Sequence, residues 1–393
     1  MVSGRFLFVT WSGGGNTAPT YPLVRGLVAH GHAVTVLGQA AQGEAARDLG
    51  AEFVPLPFPD WTPGKSLEEE MDLVLSLLFG PAVGEAVLDH IERHATDVVA
   101  VDCMMSSSLA AAERSAIPSA AIVHFLYQPF VGGGSMGRRW SSMLPMINKT
   151  RAQLGLPPAE SSTGLLDPMN VVLVACPQEF DVPMPVLPAN VRYVGAVLED
   201  APLLSSDLES RKEDERPRVL VALSSTFQHQ ESTLRRISAA LSTLPVEATI
   251  TVGPAVDPGI IDPAPNLAIQ RYVPHASLLP NCALVVTHAG MGTVMASLAH
   301  RVPLLCMPMG REQQDNAERV AACSAGIVLD ANAGVEEIRN AIRQMIATSE
   351  YQVGARRMGE TIARQNGRDT AVKELEALLS VNRSSKLGGV SQW

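Results

Sequence analysis

His288, Thr293, Glu312, Gln313 and Asn316 are the side chains of this chain whose types and spacing could act together. The run Val285-Val286-Thr287-His288-Ala289-Gly290-Met291-Gly292-Thr293 passes from an apolar strand pattern into small residues, then into the helical pattern Val294 to Ala299. A helix entered through glycine leaves its first amides uncovered, and uncovered amides at the positive end of a helix bind anions. Gly290 and Gly292 let a phosphate come close to the backbone, while His288 and the Thr293 hydroxyl can donate hydrogen bonds to it. A diphosphate fits such a cradle. Beyond the apolar run Val302 to Met307, Glu312, Gln313 and Asn316 open another helical pattern and offer groups suited to sugar hydroxyls.

Elements of α/β type must position these groups. Short apolar runs at Phe6 to Thr10, Ala33 to Leu37, Asp97 to Val101 and Ala120 to Val123 are separated in part by helical patterns at Tyr21 to Ala29 and Met104 to Ser115. A second set follows at Val219 to Leu223, Ala248 to Val252, Leu284 to Thr287, Pro303 to Met307 and Gly326 to Leu329. Helical patterns at Glu231 to Leu241, Thr293 to His300 and Gln314 to Ala322 lie between. Such alternation predicts parallel sheets wrapped by helices, in two Rossmann-like, doubly wound halves. The polar stretch Ala196 to Pro217 reads as their connection, giving a first domain over 1–205, a linker over 206–217 and a second domain over 218–366.

At 393 residues, with 46% hydrophobic and 18% charged residues, the chain suits two packed cores rather than disorder. A net charge of −10 without a Lys/Arg cluster argues against nucleic acid or an anionic membrane as partner. The five cysteines are scattered without ligand spacing, so buried, reduced thiols are expected. No export signal is read at the amino terminus, and no unbroken apolar stretch long enough to span a bilayer. A cytoplasmic protein follows as the expectation. Phe125 to Leu144, with its aromatics and the glycines Gly132 to Gly134, is expected to be a long, mobile loop facing a ligand. The tail Arg383 to Trp393 is expected to be poorly ordered. The Gly-rich turn Trp11 to Thr17 does not fit a dinucleotide site, because no acidic residue ends the next strand at Val36-Leu37-Gly38.

The two linked motifs, His288-Ala-Gly-Met-Gly-Thr293 and Glu312-Gln-Gln-Asp-Asn316-Ala317, resemble the donor-binding signature of the GT-B glycosyltransferases of family 1. The resemblance spans nearly the whole chain and is strongest from Tyr272 to Asp330. It implies two Rossmann-like domains facing each other across a cleft, with a carboxyl-terminal helix, 367–393, completing the first. Arg271-Tyr272-Val273-Pro274-His275 resembles the family segment that faces the nucleobase, with His275 where Gln is usual. The alternative for His275 is a cap on a short helix. Val221-Ala222-Leu223-Ser224-Ser225 resembles a strand end of the family, which makes Ser225 a second hydroxyl donor to phosphate, although Ser224 replaces the customary Gly. By this resemblance the donor-binding residues are Ser225, Tyr272, Val273, His275, His288, Gly290, Gly292, Thr293, Glu312, Gln313 and Asn316.

The implied reaction inverts an anomeric centre: a base takes the acceptor proton, the acceptor oxygen attacks C1 of the sugar, and the nucleoside diphosphate leaves. Asn16 stands where most relatives carry the basic His, and an amide cannot serve as that base. Asp102, after the strand Val98 to Val101, and His124, ending the strand Ala120 to Val123, are competing candidates; Asp102 as a helix cap is the structural alternative. A third alternative is an acceptor acidic or nucleophilic enough to need no base, with Asn16 orienting it. No DxD motif or ligand set suggests a metal bridging the phosphates, so neither metal nor cofactor is expected beyond a dTDP-sugar or UDP-sugar co-substrate. The resemblance implies transfer of a sugar, a dTDP-activated deoxysugar being the common donor, onto a small hydrophobic natural product. A homodimer is compatible with it. An epimerase or hydrolase of the same fold, and a degenerate homologue that only binds nucleotide sugar, are the other readings; the Glu312-Gln313-Asn316 set speaks against the former.

Overall fold

The computed structural model of the protein describes residues 3–60, 67–199, 216–224, 230–254 and 256–388. Ser225, Trp393 and all of the expected linker except Arg216 and Pro217 lie outside the described residues. In chain order the strands of the first sheet are β1 (Arg5–Val9), β2 (Ala33–Gly38), β3 (Glu52–Pro55), β4 (Val98–Asp102), β5 (Ser119–Val123), β6 (Val171–Val174) and β7 (Val191–Tyr193). They pair in the order β3-β2-β1-β4-β5-β6-β7, every pair parallel. The second sheet takes β8 (Arg218–Ala222), β9 (Glu247–Thr251), β10 (Leu267–Gln270), β11 (Leu284–Thr287), β12 (Leu304–Cys306) and β13 (Gly326–Val328). Its order, β10-β9-β8-β11-β12-β13, is again all parallel.

Parallel pairing requires crossovers, and helices on both faces explain why the central strands, such as Val98-Val-Ala-Val101 and Leu284-Val-Val286, are apolar without alternation. In each sheet the strand order reverses beside the first strand, between β1 and β4 and between β8 and β11. Loops diverge at such a point and leave a crevice beyond the carboxyl ends of the strands. The α/β architecture expected from sequence is therefore present twice.

The chain divides into two compact units, the first comprising 1–176, 183–199 and 366–393 and the second 177–182 and 200–365, of which only the described residues are considered. The core of the first gathers Phe6, Phe8, Leu23, Val36, Ile122 and Leu173 together with Ala371, Val372, Leu375 and Leu378 of the helix Gly367–Gly388. That helix lies against the helix Thr17–Ala29. The approach is close because position 26 is glycine: a Cβ there would stand 2.7 Å from a Val372 methyl. Glu376 on the same helix meets His30 Nδ1 and His32 Nε2, each at 2.9 Å. The His32 Nδ1 accepts the Gly4 amide, so its Nε2–H must donate to Glu376. The second core is built on Val219, Val221, Leu234, Ile237, Ile250, Val286 and Ile342.

One expectation meets a near exception and another changes. Met71–Arg93 is long and apolar enough to pass for a membrane-spanning helix. The stretch is not one helix, because Gly80 is extended (φ −70°, ψ 144°) and Pro81 opens a new one. The result is two helices of 13 residues, Leu67–Phe79 and Pro81–Arg93, each about 20 Å long. They bury Leu77, Leu78, Phe79, Val83 and Val87 in the first unit. Phe125 to Leu144 is likewise not an open loop: it forms the helices Tyr127–Val131 and Ser135–Ser141. Its aromatics turn inward, Phe125 edge-on to Phe130 at 5.0 Å and Trp140 against Phe79 at 4.9 Å, and burying rings of that size holds the segment down.

Candidate functional site

The cradle in the second unit is built at the strand-order reversal. β11 ends at Thr287, and the chain turns through His288, Ala289 and Gly290 into the helix Met291–Ala299. Ala289 takes a left-handed conformation (φ 67°), which an L residue adopts only where its surroundings hold it. Two contacts do so: its amide donates to Thr287 Oγ1 at 3.2 Å, and its carbonyl accepts from Asn316 Nδ2 at 3.0 Å. Gly290 is the N-cap and has no side chain to cover the helix end, so the amides of Met291, Gly292 and Thr293 remain open. The half-buried Thr293 has no hydroxyl partner among the described residues.

His288 is 9% exposed, and its Nδ1 is buried without a hydrogen bond. Its Nε2 sits over Gly290, where a Cβ would lie 2.6 Å away. Burial, opposed by a backbone contact at Ala222 and supported by the nearby Arg311 charge, pushes the imidazole pKa down to about 4. The free protein thus carries a neutral His288 at pH 7, not the cation that a charge-assisted phosphate contact would use.

The other expected donor residues divide into open and enclosed groups. Glu312 is half-buried and precedes the helix Gln313–Ala322. Gln313 is buried and its Oε1 accepts the Met309 amide at 2.8 Å. Asn316 is fully buried with its amide on the Ala289 carbonyl, so it shapes the cradle from beneath and does not present itself to a sugar. Tyr272 is 76% exposed and Val273 half-buried, ahead of the short helix His275–Leu278, whose cap is Pro274 and not His275. His275 Nε2 stands 3.1 Å from Thr251 Oγ1, whose hydroxyl donates to the Val221 carbonyl at 3.0 Å. With its proton committed, Thr251 can only accept, which fixes the proton of His275 on Nε2 and leaves Nδ1 as an acceptor. Burial lowers the pKa of this ring as well. Ser224 at the end of β8 accepts Gln230 Nε2 on its carbonyl at 2.8 Å.

In the first unit the reversal lies between β1 and β4, and the expected catalytic positions gather at the carboxyl ends of β1, β4 and β5. Asn16 is 2% exposed and its amide is used within its own loop. Oδ1 accepts Gly13 N at 3.1 Å, and Nδ2 donates to the Trp11 carbonyl at 2.8 Å and to Thr10 Oγ1 at 3.3 Å. Asn16 thus pins the loop after β1 with the same amide that the sequence offers for orienting an acceptor. Asp102 and His124, expected as competitors, are neighbours. Parallel register sets Asp102 beside Ile122, and two residues on, His124 Nε2 comes 3.4 Å from Asp102 Oδ1. The same Oδ1 accepts the Met104 amide at 2.9 Å, so Asp102 also steadies the chain entering the helix Ser106–Ser115. An imidazole beside a buried carboxylate is suited to receiving a proton. Sequence reasoning passed over Cys103, which lies beside this pair; burial first, and then the Asp102 charge, raise its thiol pKa well above the ordinary value. None of the five cysteines is in a disulfide.

The family described as UDP-glucoronosyl and UDP-glucosyl transferase matches residues 140–365, more than half of the chain, and the chain belongs to that family. It is a glycosyltransferase. Among its relatives is the 4'-demethylrebeccamycin synthase of Lentzea aerocolonigenes, 25% identical over 96% of this chain and 100% of the relative. Among solved structures, the calicheamicin glycosyltransferase CalG4 superposes with a TM-score of 0.79 at 22% identity, covering 97% of this chain and 99% of that one. The glycosyltransferase VinC, solved in complex with dTDP, gives 0.72 at 20% identity over 96% and 99%. These likenesses identify the fold as GT-B.

Proposed function

We propose that the protein is an inverting glycosyltransferase that moves a sugar from a nucleoside diphosphate, a dTDP-deoxysugar in the first instance, onto a small hydrophobic natural product. The observation that carries this reading is the open helix start at Met291–Thr293 with His288 Nε2 over Gly290, a place for a diphosphate leaving group. His124, oriented by Asp102, takes the acceptor hydroxyl proton while the acceptor oxygen forms its bond to C1. The bond from C1 to the phosphate oxygen breaks on the opposite side, and the leaving oxygen carries away the electron pair. Its charge is met by the amides of Met291, Gly292 and Thr293, the Thr293 hydroxyl and the His288 ring, a preorganised set that needs neither a cofactor nor a metal bridging the phosphates. Tyr272 is open for stacking on the base, and the acceptor edge of His275 suits a base that offers an N–H, as thymine and uracil do. The relatives named for rebeccamycin and calicheamicin support the acceptor class, and the VinC complex supports dTDP as the nucleotide.

Calorimetric titration with dTDP and UDP, followed by mass spectrometry of reactions with a panel of aglycones and NMR of the product's anomeric proton, tests the proposal. Tight dTDP binding and an inverted glycoside, formed no less with EDTA than without it, are expected. Nucleotide-sugar turnover without any acceptor would refute it in favour of a hydrolase or epimerase.

A further inference from the structure

The ends of β4 and β5 hold three potential metal ligands together. The ligand atoms of Asp102, Cys103 and His124 all lie within 4.8 Å of one another, the one such group among the described residues. Sheet pairing fixes the backbone beneath them: Asp102 is in register with Ile122, and the Cys103 amide donates to the Ile122 carbonyl at 3.1 Å. Asp102 is 2% exposed, and its Oδ2 is buried with no hydrogen-bond partner, a costly state for a carboxylate oxygen that nothing in the sheet relieves. Asp102 Oδ1 and His124 Nε2 are 3.4 Å apart. Two ligands on one tetrahedral ion, with bonds of about 2.0–2.3 Å, stand roughly 3.3–3.8 Å apart, so the carboxylate and imidazole already have that separation. Small side-chain adjustments would bring the sulfur in.

We propose that Asp102, Cys103 and His124 form a zinc-binding site. A thiolate, an imidazole and a carboxylate are the donor set of a borderline-soft ion, and they disfavour magnesium or calcium, which take oxygen ligands. On binding, the Cys103 S–H bond breaks, its proton passes to solvent and a sulfur–zinc bond forms. His124 binds through the lone pair of a neutral ring nitrogen and Asp102 through its carboxylate, which leaves the fourth position to water. Two negative ligands balance the ion's charge, so a buried neutral unit results. Resting on the assignment of His124 as the base, a second consequence follows: the ion occupies the group that must take the acceptor proton, and zinc stops transfer without being part of it.

The test uses the full chain freed of any polyhistidine tag, treated with EDTA and desalted. Titration with zinc chloride is expected to give one ion per chain, and cobalt chloride a thiolate-to-cobalt charge-transfer band with the visible absorption of a tetrahedral site. Cys103→Ala should lose both while keeping its metal-free turnover. One equivalent of zinc should reduce wild-type turnover at least tenfold, reversibly with EDTA, and leave Cys103→Ala unaffected. Absence of stoichiometric zinc, a cobalt spectrum without the thiolate band, or equal metal binding by Cys103→Ala overturns the site. If that variant does not fold, the presence or absence of the thiolate band in the wild-type spectrum decides. One bound zinc lost in Cys103→Ala, with wild-type turnover intact, upholds the site and overturns the assignment of His124 as the base instead.

Discussion

Replacing Gly290 with alanine tests whether the His288 ring is held over the helix start. The backbone at 290 (φ −63°, ψ 136°) is one that alanine adopts freely, so the turn itself is not strained. The new Cβ would lie 2.6 Å from His288 Nε2 and 3.0 Å from Cε1, well inside a carbon–nitrogen contact of about 3.5 Å, so the ring must move by about an ångström. A buried ring cannot do that and keep a hydrogen bond aimed at the same phosphate oxygen. The lost contact to a charged group is worth about 1.5–3 kcal/mol, or roughly 10- to 150-fold in kcat/KM. His288→Ala should lose the same contact and a similar factor. In the double variant no ring is left to collide with, so Gly290→Ala should add nothing to the loss from His288→Ala. Steady-state kinetics with nucleotide sugar, calorimetric binding of dTDP and thermal melting of the four proteins complete the cycle. Losses that multiply in the double variant, or a fully active Gly290→Ala, would refute the placement of the ring.

Because burial holds the free His288 pKa at about 4, a diphosphate against Nε2 must raise it, and binding should take up a proton. The sign is fixed: affinity increases as pH falls through the raised bound-state value and levels off below about 4. Calorimetry near pH 6 in buffers of different ionisation enthalpy reads this uptake, and His288→Ala should abolish it. His124→Ala should lower kcat by about 10²- to 10⁴-fold and flatten the acid limb of the pH–rate profile, and Asp102→Asn should lower kcat by misorienting the ring. Two fully active variants would indicate an acceptor that needs no base. Asn16→Ala gives up three hydrogen bonds in a buried loop and should lower unfolding stability by about 1–3 kcal/mol in urea titrations. Unchanged stability with lost turnover would return Asn16 to the acceptor.

Much of this was legible from residue order. The apolar runs at Phe6, Val98, Val219 and Leu284 became central strands because a strand covered on both faces must be apolar throughout. β3, β7 and β10 are short edge strands, and their exposed or half-buried positions leave too little apolar pattern to read. β6, Val171-Val-Leu-Val174, is apolar throughout yet stands outside the expected strands. At the site, His288, Gly290 and Thr293 stood out because a helix start announces itself locally. The pairing of Asp102 with His124 did not, since it depends on β4 and β5 being neighbours in register, which neither stretch reveals alone. Nor could spacing show that Asn16 spends its amide on its own loop, or that Asn316 faces the Ala289 carbonyl.

The path of the chain bears on how such enzymes can be recombined. The polypeptide changes units at four places, after 176, 182, 199 and 365. A chimera spliced only after 199 would supply the second unit without its own Pro177–Val182, whose Phe180 is wholly enclosed and whose Phe180 carbonyl takes the Arg319 Nε proton at 2.7 Å. The first unit would likewise receive a foreign closing helix in place of the one whose Val372 was fitted to Gly26. Exchanging donor specificity between relatives therefore calls for a two-piece graft that moves 177–182 along with 200–365 and returns to the native sequence at 366.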